Sequence, residues 1–262
     1  MPEPTTAPAI ELDGVSKAFG ANKVLDDVSL TVRHGSIMVM LGPSGTGKSV
    51  LLRCLVGLLR PDAGRVLVYG EDVAALDESR PRDRARLFAL RRRFGMLFQD
   101  GALFDDMDVG DNVAFPMRMH TDLSEAQIRA KVADKLRRVG LSGVERKAPS
   151  ELSGGMRKRV AFARAIALEP DIVLCDEPSS GLDPVMSATL DELILELHRT
   201  LGMTFIVISH DTAEAKKIAD TIGLLASGKL VTYGPAAEVF AEGQPALRQF
   251  FERSTEGPIR VL

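Results

Sequence analysis

The sequence predicts an α/β fold: a mainly parallel sheet with crossover helices, joined by an antiparallel β subdomain and an inserted helical subdomain. Three observations predict it. The continuous apolar run "SIMVML" leads at once into the glycine loop "GPSGTGKS", Gly42 to Ser49, and then into "SVLLRCLVGLL" with helical spacing. Strand, loop and helix in that order make a phosphate-binding P-loop. Two further apolar runs, "DIVLCDEP" and "MTFIVISHD", flank the helical "PVMSATLDELILELHRTLG", an alternation that implies parallel strands joined by helices. Upstream, "IELDGVSKAFG" and "VLDDVSLTVRHG" show near-alternating apolar residues broken by Gly and Asp, the pattern of half-exposed antiparallel strands. The reading is a P-loop NTPase core with two added subdomains.

Along the chain, residues 1–9 are rich in Pro, Thr and Ala and read as a disordered tail. The main domain spans 10–235, within which "GRVLVYGED" reads as a strand and "RPRDRARLFALRRRFGMLFQ" as a basic helix leading into a short strand. Ile128, Val132 and Leu136 recur at helical spacing behind Ser124 as N-cap. Residues from about 100 to 165 carry no strong strand pattern and form the inserted helical subdomain. "TIGLLASGKLVTYG" predicts a hairpin through Ser227 and Gly228. Residues 236–262 hold a short helix, "LRQFFER", and an irregular tail, "STEGPIRVL", whose Ile259, Val261 and Leu262 are candidate anchors on a partner subunit.

A chain of 262 residues, 45% hydrophobic and 26% charged, buries a sizeable core as one large domain or one domain with an insertion. Its formal charge of -3 excludes a global field that draws it to nucleic acid or an anionic membrane. The run Arg80, Arg82, Arg84, Arg86 and Arg91 to Arg93, interleaved with Asp83, Leu87, Phe88 and Leu90, reads as a solvated helix face rather than a nucleic-acid patch. Cys54 and Cys175 lie in apolar runs, as buried thiols of a reducing compartment do. The N-terminus has no basic start followed by an apolar stretch, and no run approaches the roughly 18 apolar residues of a spanning helix. The expectation is a cytoplasmic protein that reaches a membrane only through partners.

The chemistry concentrates at strand ends. In the phosphate loop, Gly42, Pro43, Ser44, Gly45, Thr46, Gly47, Lys48, Ser49 and Val50 form the nucleotide cradle. Backbone N–H groups wrap the phosphates, Lys48 reaches the β- and γ-phosphates, and Ser49 offers its hydroxyl to Mg²⁺. "IVLCDE" ends an apolar strand with two carboxylates: Asp176 would hold Mg²⁺ through water, and Glu177 would act as general base or position the attacking water. His210, after "FIVIS", has the same setting and would touch the γ-phosphate. Gln99, closing "MLFQ", either reaches Mg²⁺ or the attacking water or is an ordinary polar strand cap. Phe19, in the turn "AFG", either stacks on adenine or belongs to the core.

A second loop, "LSGGMRKR", sets Ser153, Gly154 and Gly155 just before a helix, so N–H groups, hydroxyl and helix dipole converge on one anion position. A plain N-cap followed by the surface bases Arg157, Lys158 and Arg159 is the alternative. Taken in order, Phe19, "GPSGTGKS", Gln99, "LSGGM", "IVLCDE", "SGLD" and His210 resemble the nucleotide-binding subunit of ABC transporters over residues 10 to about 235. The resemblance implies ATP and Mg²⁺ as ligands and a head-to-tail dimer in which each signature loop closes on the nucleotide of the other copy. It also implies that Asp183 of "SGLD" crosses that interface. The signature more usually ends in Gln where this chain has Met156, and Thr more often follows the phosphate loop than Val50; neither position supplies an essential phosphate contact.

A narrower resemblance rests on "GTGKSVLL", "FQDGALFDDMDVGDNVAFP", "SGGMRKR", "RQFF" and "GPI". These are similar to the ATPases of Mce and Mla lipid-transport systems, the actinobacterial Mce-associated ATPases among them. The implied partners are two permease subunits and substrate-binding MCE-domain proteins, with no nucleic acid, and the implied place is the cytoplasmic face of the cell membrane. Gly101, Ala102, Leu103 and Phe104 either dock a permease helix or pack internally. The rival readings are a soluble ABC ATPase of DNA repair or translation, which generally carries a coiled-coil insertion or second cassette, and a P-loop small-molecule kinase, which has neither the signature loop nor "SGLD".

Overall fold

The computed structural model describes residues 8–241, 245–252, 254 and 256–258. In chain order the elements are β1 (Pro8–Phe19), β2 (Asn22–Arg33), β3 (Ile37–Leu41), α1 (Lys48–Leu55), β4 (Ala63–Val68), β5 (Glu71–Asp72) and α2 (Pro81–Arg91). There follow β6 (Phe94–Leu97), α3 (Val109–His120), α4 (Glu125–Arg138), α5 (Gly154–Ala165), β7 (Ile172–Asp176) and α6 (Pro184–Leu201). The chain ends with β8 (Thr204–Ser209), α7 (Thr212–Ile218), β9 (Thr221–Ala226), β10 (Lys229–Pro235), α8 (Ala236–Ala241) and α9 (Pro245–Glu252). Two compact units result, one built from the chain up to Arg91 and from Thr204 onward, the other from Arg92–Met203.

In the first unit every residue of β3 is buried, which is why its sequence is apolar without alternation. It lies between β8 and β9, parallel to both, with Leu41 level with Ser209 and with Leu224, in the strand order β10–β9–β3–β8. The β9–β10 hairpin turns through Ser227 (φ 47) and Gly228 (φ 77), the two left-handed residues of a tight hairpin turn. The second sheet has β1 between β2 and β4, antiparallel to both. Along β2, Val28, Leu30 and Val32 are buried while Ser29, Thr31 and Arg33 are exposed, the period of two that a one-sided sheet requires.

β2 also reaches the core sheet. The Tyr233 hydroxyl on β10 donates to the Thr31 carbonyl and accepts its N–H at 3.2 Å. Asp26 N–H donates to the Gly228 carbonyl at 2.8 Å. β1 begins at Pro8, two residues before the expected start: Pro8 and Ala9 belong to the strand rather than the tail, and proline, with no N–H to donate, is tolerated as a strand's first residue. Residues 1–7 and the proposed anchors Ile259, Val261 and Leu262 lie outside the described residues.

In the second unit β6 and β7 pair in parallel, Leu97 level with Cys175. Between them α3, α4 and α5 bury Val113 and Met117, Ile128, Val132 and Leu136, and Val160 to Ala163 respectively. Each fully buried aliphatic side chain contributes roughly 1.5–3 kcal/mol. Ser124 caps α4 in a reciprocal box with Gln127, donating its N–H to Gln127 Oε1 at 2.8 Å. Among the described residues no helix is long and apolar enough to cross a membrane.

Candidate functional site

The phosphate loop leaves the carboxyl end of β3 and closes on the first turn of α1. Gly42 (φ 154) passes so near β9 that a Cβ there would sit 2.2 Å from the Leu225 carbonyl oxygen, and Gly47 (φ 101) would set one 2.6 Å from the Val24 carbonyl oxygen. Both positions therefore need glycine for space as well as conformation. Lys48 is only 5% exposed, and its ammonium donates to the carbonyls of Gly42 and Pro43 at 2.7 Å each. Thr46 Oγ1 donates to the Pro43 carbonyl at 2.8 Å. These bonds shape the cradle from within. Ser44, Gly45 and Ser49 are exposed, Pro43 and Val50 partly so.

Two other predicted residues belong to the same unit. His210 follows Ser209, the last residue of β8 and the register partner of Leu41, so it stands beside the mouth of the phosphate loop. Its backbone is held on either side: Ser209 Oγ donates to Glu214 and accepts the Asp211 N–H at 2.9 Å, while Asp211 caps α7 through the N–H groups of Ala213 and Glu214. Phe19 is 51% exposed, which removes the core reading. Its strand partner is Asn22, about 7 Å of strand from Val24 at the back of the loop. Asp62 takes the Lys17 ammonium and the Ala18 N–H, each at 2.7 Å. Those two bonds hold its carboxyl below the usual carboxylate range, and Lys17 lies 5.7 Å from the Phe19 ring centre.

In the second unit the parallel register of β6 and β7 brings Gln99 and the pair Asp176, Glu177 to one sheet edge. Asp176 ends β7; Glu177 follows with φ +48, a left-handed backbone that costs a non-glycine residue about 1–2 kcal/mol and that clusters at functional sites. A cation missed by the sequence reading organises this edge. Lys158, 6% exposed, donates to the Gln99 carbonyl and reaches the Glu177 carbonyl at 3.5 Å and Ser180 Oγ at 3.4 Å.

The signature loop precedes α5 as expected, with Ser153 as N-cap accepting the Met156 N–H at 3.3 Å. The three bases of its first turns divide. Arg157 is exposed and donates to the Leu152 carbonyl at 2.8 Å, Lys158 is buried as above, and Arg159 is half-buried beside Gly140. A Cβ on Gly154 would meet Leu182 at 3.7 Å and one on Gly155 would meet the Met186 methyl at 2.1 Å, so the loop and the "SGLD" segment form one surface. Asp183 caps α6 with one oxygen, accepting from Val185 and Met186 at 3.0 Å.

After Gln99 the chain is tied down from within. Arg164 donates to the Gly101 and Ala102 carbonyls at 2.7 Å. Asn112, fully buried, accepts from Phe104 N–H at 2.8 Å and donates to the carbonyls of Phe104, Met107 and Asp108. Gly101 is buried, Leu103 half-buried, and Ala102 and Phe104 exposed, the Phe104 ring 5.0 Å from Phe115. Along the basic helix α2, Arg86 pairs with Glu71 at 2.6 Å and Arg91 with Glu78 at 2.5 Å, as on a solvated face.

A phosphate loop between a buried strand and a helix, an acidic strand end and a Ser-Gly-Gly helix start are the parts of an ABC-type ATP hydrolase. The chain matches the ABC transporter family over residues 25–180 and belongs to it. It is 45% identical, over 98% of its length and 93% of the relative's, to the intermembrane phospholipid transport system ATP-binding protein MlaF of Escherichia coli. It is also 45% identical, over 96% of its length and 71% of the relative's, to the probable ribonucleotide transport ATP-binding protein mkl of Mycobacterium leprae. Among solved structures it resembles a dimeric ATP-binding cassette in a post-hydrolysis state bound to ADP and Pi. That match has a TM-score of 0.77 at 28% identity and covers 87% of this chain and 98% of that one.

Proposed function

We propose that the chain is the ATP-hydrolysing motor subunit of an ABC transporter that moves lipids of the phospholipid, fatty acid or sterol class. The observation that carries this reading is the 45% identity to MlaF along nearly the whole of both chains. Equal identity to mkl favours a ribonucleotide cargo as the second reading. The subunit would work as a head-to-tail dimer on the cytoplasmic face of the membrane, bound to two permease subunits and through them to MCE-domain proteins.

In this reading the phosphate loop N–H groups and Lys48 bind the triphosphate and Phe19 stacks on the adenine. Mg²⁺ takes oxygen donors and keeps several waters, bound by one or two side chains plus substrate phosphates. Ser49 at the start of α1, Asp176 at the end of β7 and the Gln99 side chain supply oxygen ligands of that kind. A magnesium ion held by those groups would supply charge neutralisation for the phosphates. Glu177 orients and deprotonates the attacking water, and His210 contacts the γ-phosphate. Ser153, Gly154 and Gly155 close on the nucleotide of the second copy, with Asp183 at the interface. Closure and release move the permease through the surface near Ala102 and Phe104.

The test has two parts. Glu177→Gln should abolish hydrolysis and, with saturating ATP, accumulate as a dimer in size-exclusion chromatography with light scattering; a monomer under those conditions counts against the motor reading. Copurification from membranes, with mass spectrometry of bound proteins and extracted small molecules, separates the cargoes. Co-isolated lipid supports the first reading, and nucleotide beyond the ATP sites supports the second.

A further inference from the structure

Lys158 is a cation in the first turns of a helix, where the macrodipole disfavours positive charge, and it is nearly fully buried. Burying an ammonium is costly unless its donors are satisfied. Among its partners are the Gln99 carbonyl, the Glu177 carbonyl at 3.5 Å and Ser180 Oγ at 3.4 Å. The first two belong to the residues beyond the ends of β6 and β7 whose side chains are assigned to the attacking water. The third closes the turn in which Ser180 N–H donates to the Glu177 carbonyl at 3.1 Å, the turn that holds Glu177 at φ +48. A lysine has three donors on one nitrogen, so a single side chain fixes both backbones and that turn. The helix that carries it begins at Gly154, in the signature loop.

We infer that Lys158 is a positioning residue for hydrolysis: it holds the Gln99 and Glu177 backbones in register and ties the helix that closes on one nucleotide to the carboxylate that serves the other. This rests on the ATP-dimer reading above. In this role Lys158 acts through the Gln99 and Glu177 backbones rather than on the substrate. Arg164, on the same helix, extends the tie to the Gly101 and Ala102 carbonyls, so α5 holds the whole start of the loop after β6.

The test is Lys158→Met, which keeps length and removes the charge, in the full-length chain. Misplacing a catalytic group by about 1 Å costs on the order of 100-fold. The expected kcat for ATP is accordingly about 10- to 100-fold lower, with KM within about threefold of the parent chain. Because closure is spared while hydrolysis is slow, Lys158→Met alone should accumulate the ATP dimer otherwise seen only with Glu177→Gln. Lys158→Arg should recover part of kcat, and thermal unfolding shows whether each variant is folded; if the methionine chain is not, Lys158→Gln is read by the same criteria. A folded variant with kcat within about threefold of the parent overturns the inference. So does failure of the Lys158→Met, Glu177→Gln chain to dimerise with ATP when Glu177→Gln does, since the lysine then serves closure. If Glu177→Gln itself stays monomeric, the functional reading has failed first and this inference falls with it.

Discussion

Substituting Gly42 by alanine should cripple nucleotide binding, and Gly45 provides an internal control. At Gly42 a Cβ would lie 2.2 Å from the Leu225 carbonyl oxygen, whereas carbon and oxygen in contact stay about 3.3 Å apart. The clash is with backbone on both sides, so no side chain can yield and the loop must move by about 1 Å. Donors that bind an oxyanion work within about 2.7–3.1 Å, so that displacement breaks the N–H bonds nearest Gly42. Losing two charge-assisted bonds at roughly 1.5–3 kcal/mol each removes about 3–6 kcal/mol, or roughly 10²- to 10⁴-fold in Kd. At Gly45 the added carbon would meet nothing within 4 Å, and only the positive φ of 79 remains. That costs about 1–2 kcal/mol of backbone strain, and Kd should stay within about tenfold of the parent. Titration of a fluorescent ATP analogue, with thermal melts to confirm folding, measures both. Binding by folded Gly42→Ala within about threefold of the parent, or an equal loss at Gly45→Ala, would refute the reasoning.

Three further outcomes follow from the geometry. Asn112→Ala removes four hydrogen bonds from the segment 104–108 and should cost about 1–3 kcal/mol in denaturant unfolding, because part-buried backbone groups lose their partner. Phe104→Asp should abolish assembly with the membrane complex while ATP titration stays unchanged; normal copurification with the permease would reject the docking surface. Burial pushes the Cys54 thiol up from 9.0 to about 11, so the folded chain keeps a proton that the unfolded chain releases. Stability from this thiol is therefore present below about pH 9 and lost as pH rises toward about 11, by roughly 3 kcal/mol. Cys54→Ala should flatten that decline in unfolding curves taken across the range.

The parts read most directly from sequence are those in which residue type and backbone geometry are locked together. The glycines of the phosphate loop, the unbroken apolar run of β3 and the Ser124 to Gln127 box each have one sensible local structure. Lys158 shows the opposite case. In "RKR" it is one of three consecutive bases on a helix start, and only the packing of α5 against the ends of β6 and β7 distinguishes it from Arg157. Arg164 and Asn112 were hidden for a related reason: their partners are backbone groups, about 60 residues distant for Arg164 and within the preceding eight residues for Asn112, and a carbonyl leaves no mark in sequence. The stretch from Gly101 to Phe104 was undecided between docking and packing because its residues divide, Gly101 buried and Ala102 and Phe104 exposed. Phe19 needed the hairpin register, since one aromatic beside a glycine says nothing about which side of a sheet it leaves.

The two glycine loops also differ in who enforces them. At Gly42 the objection to a side chain comes from the chain's own backbone; at Gly155 it comes from the tip of Met186, which can swing aside. A Gly42→Ala chain thus keeps a sound signature loop, whereas at Gly155 a larger, charged substitution, Gly155→Asp, is needed to spoil the signature loop, and that chain keeps a sound phosphate cradle. In the proposed head-to-tail pair each would be inactive with a copy of itself, yet mixed together they would assemble one dimer in which a good cradle meets a good signature loop. Two null alleles of the same gene would then complement each other, with half the sites and one working composite chamber per pair.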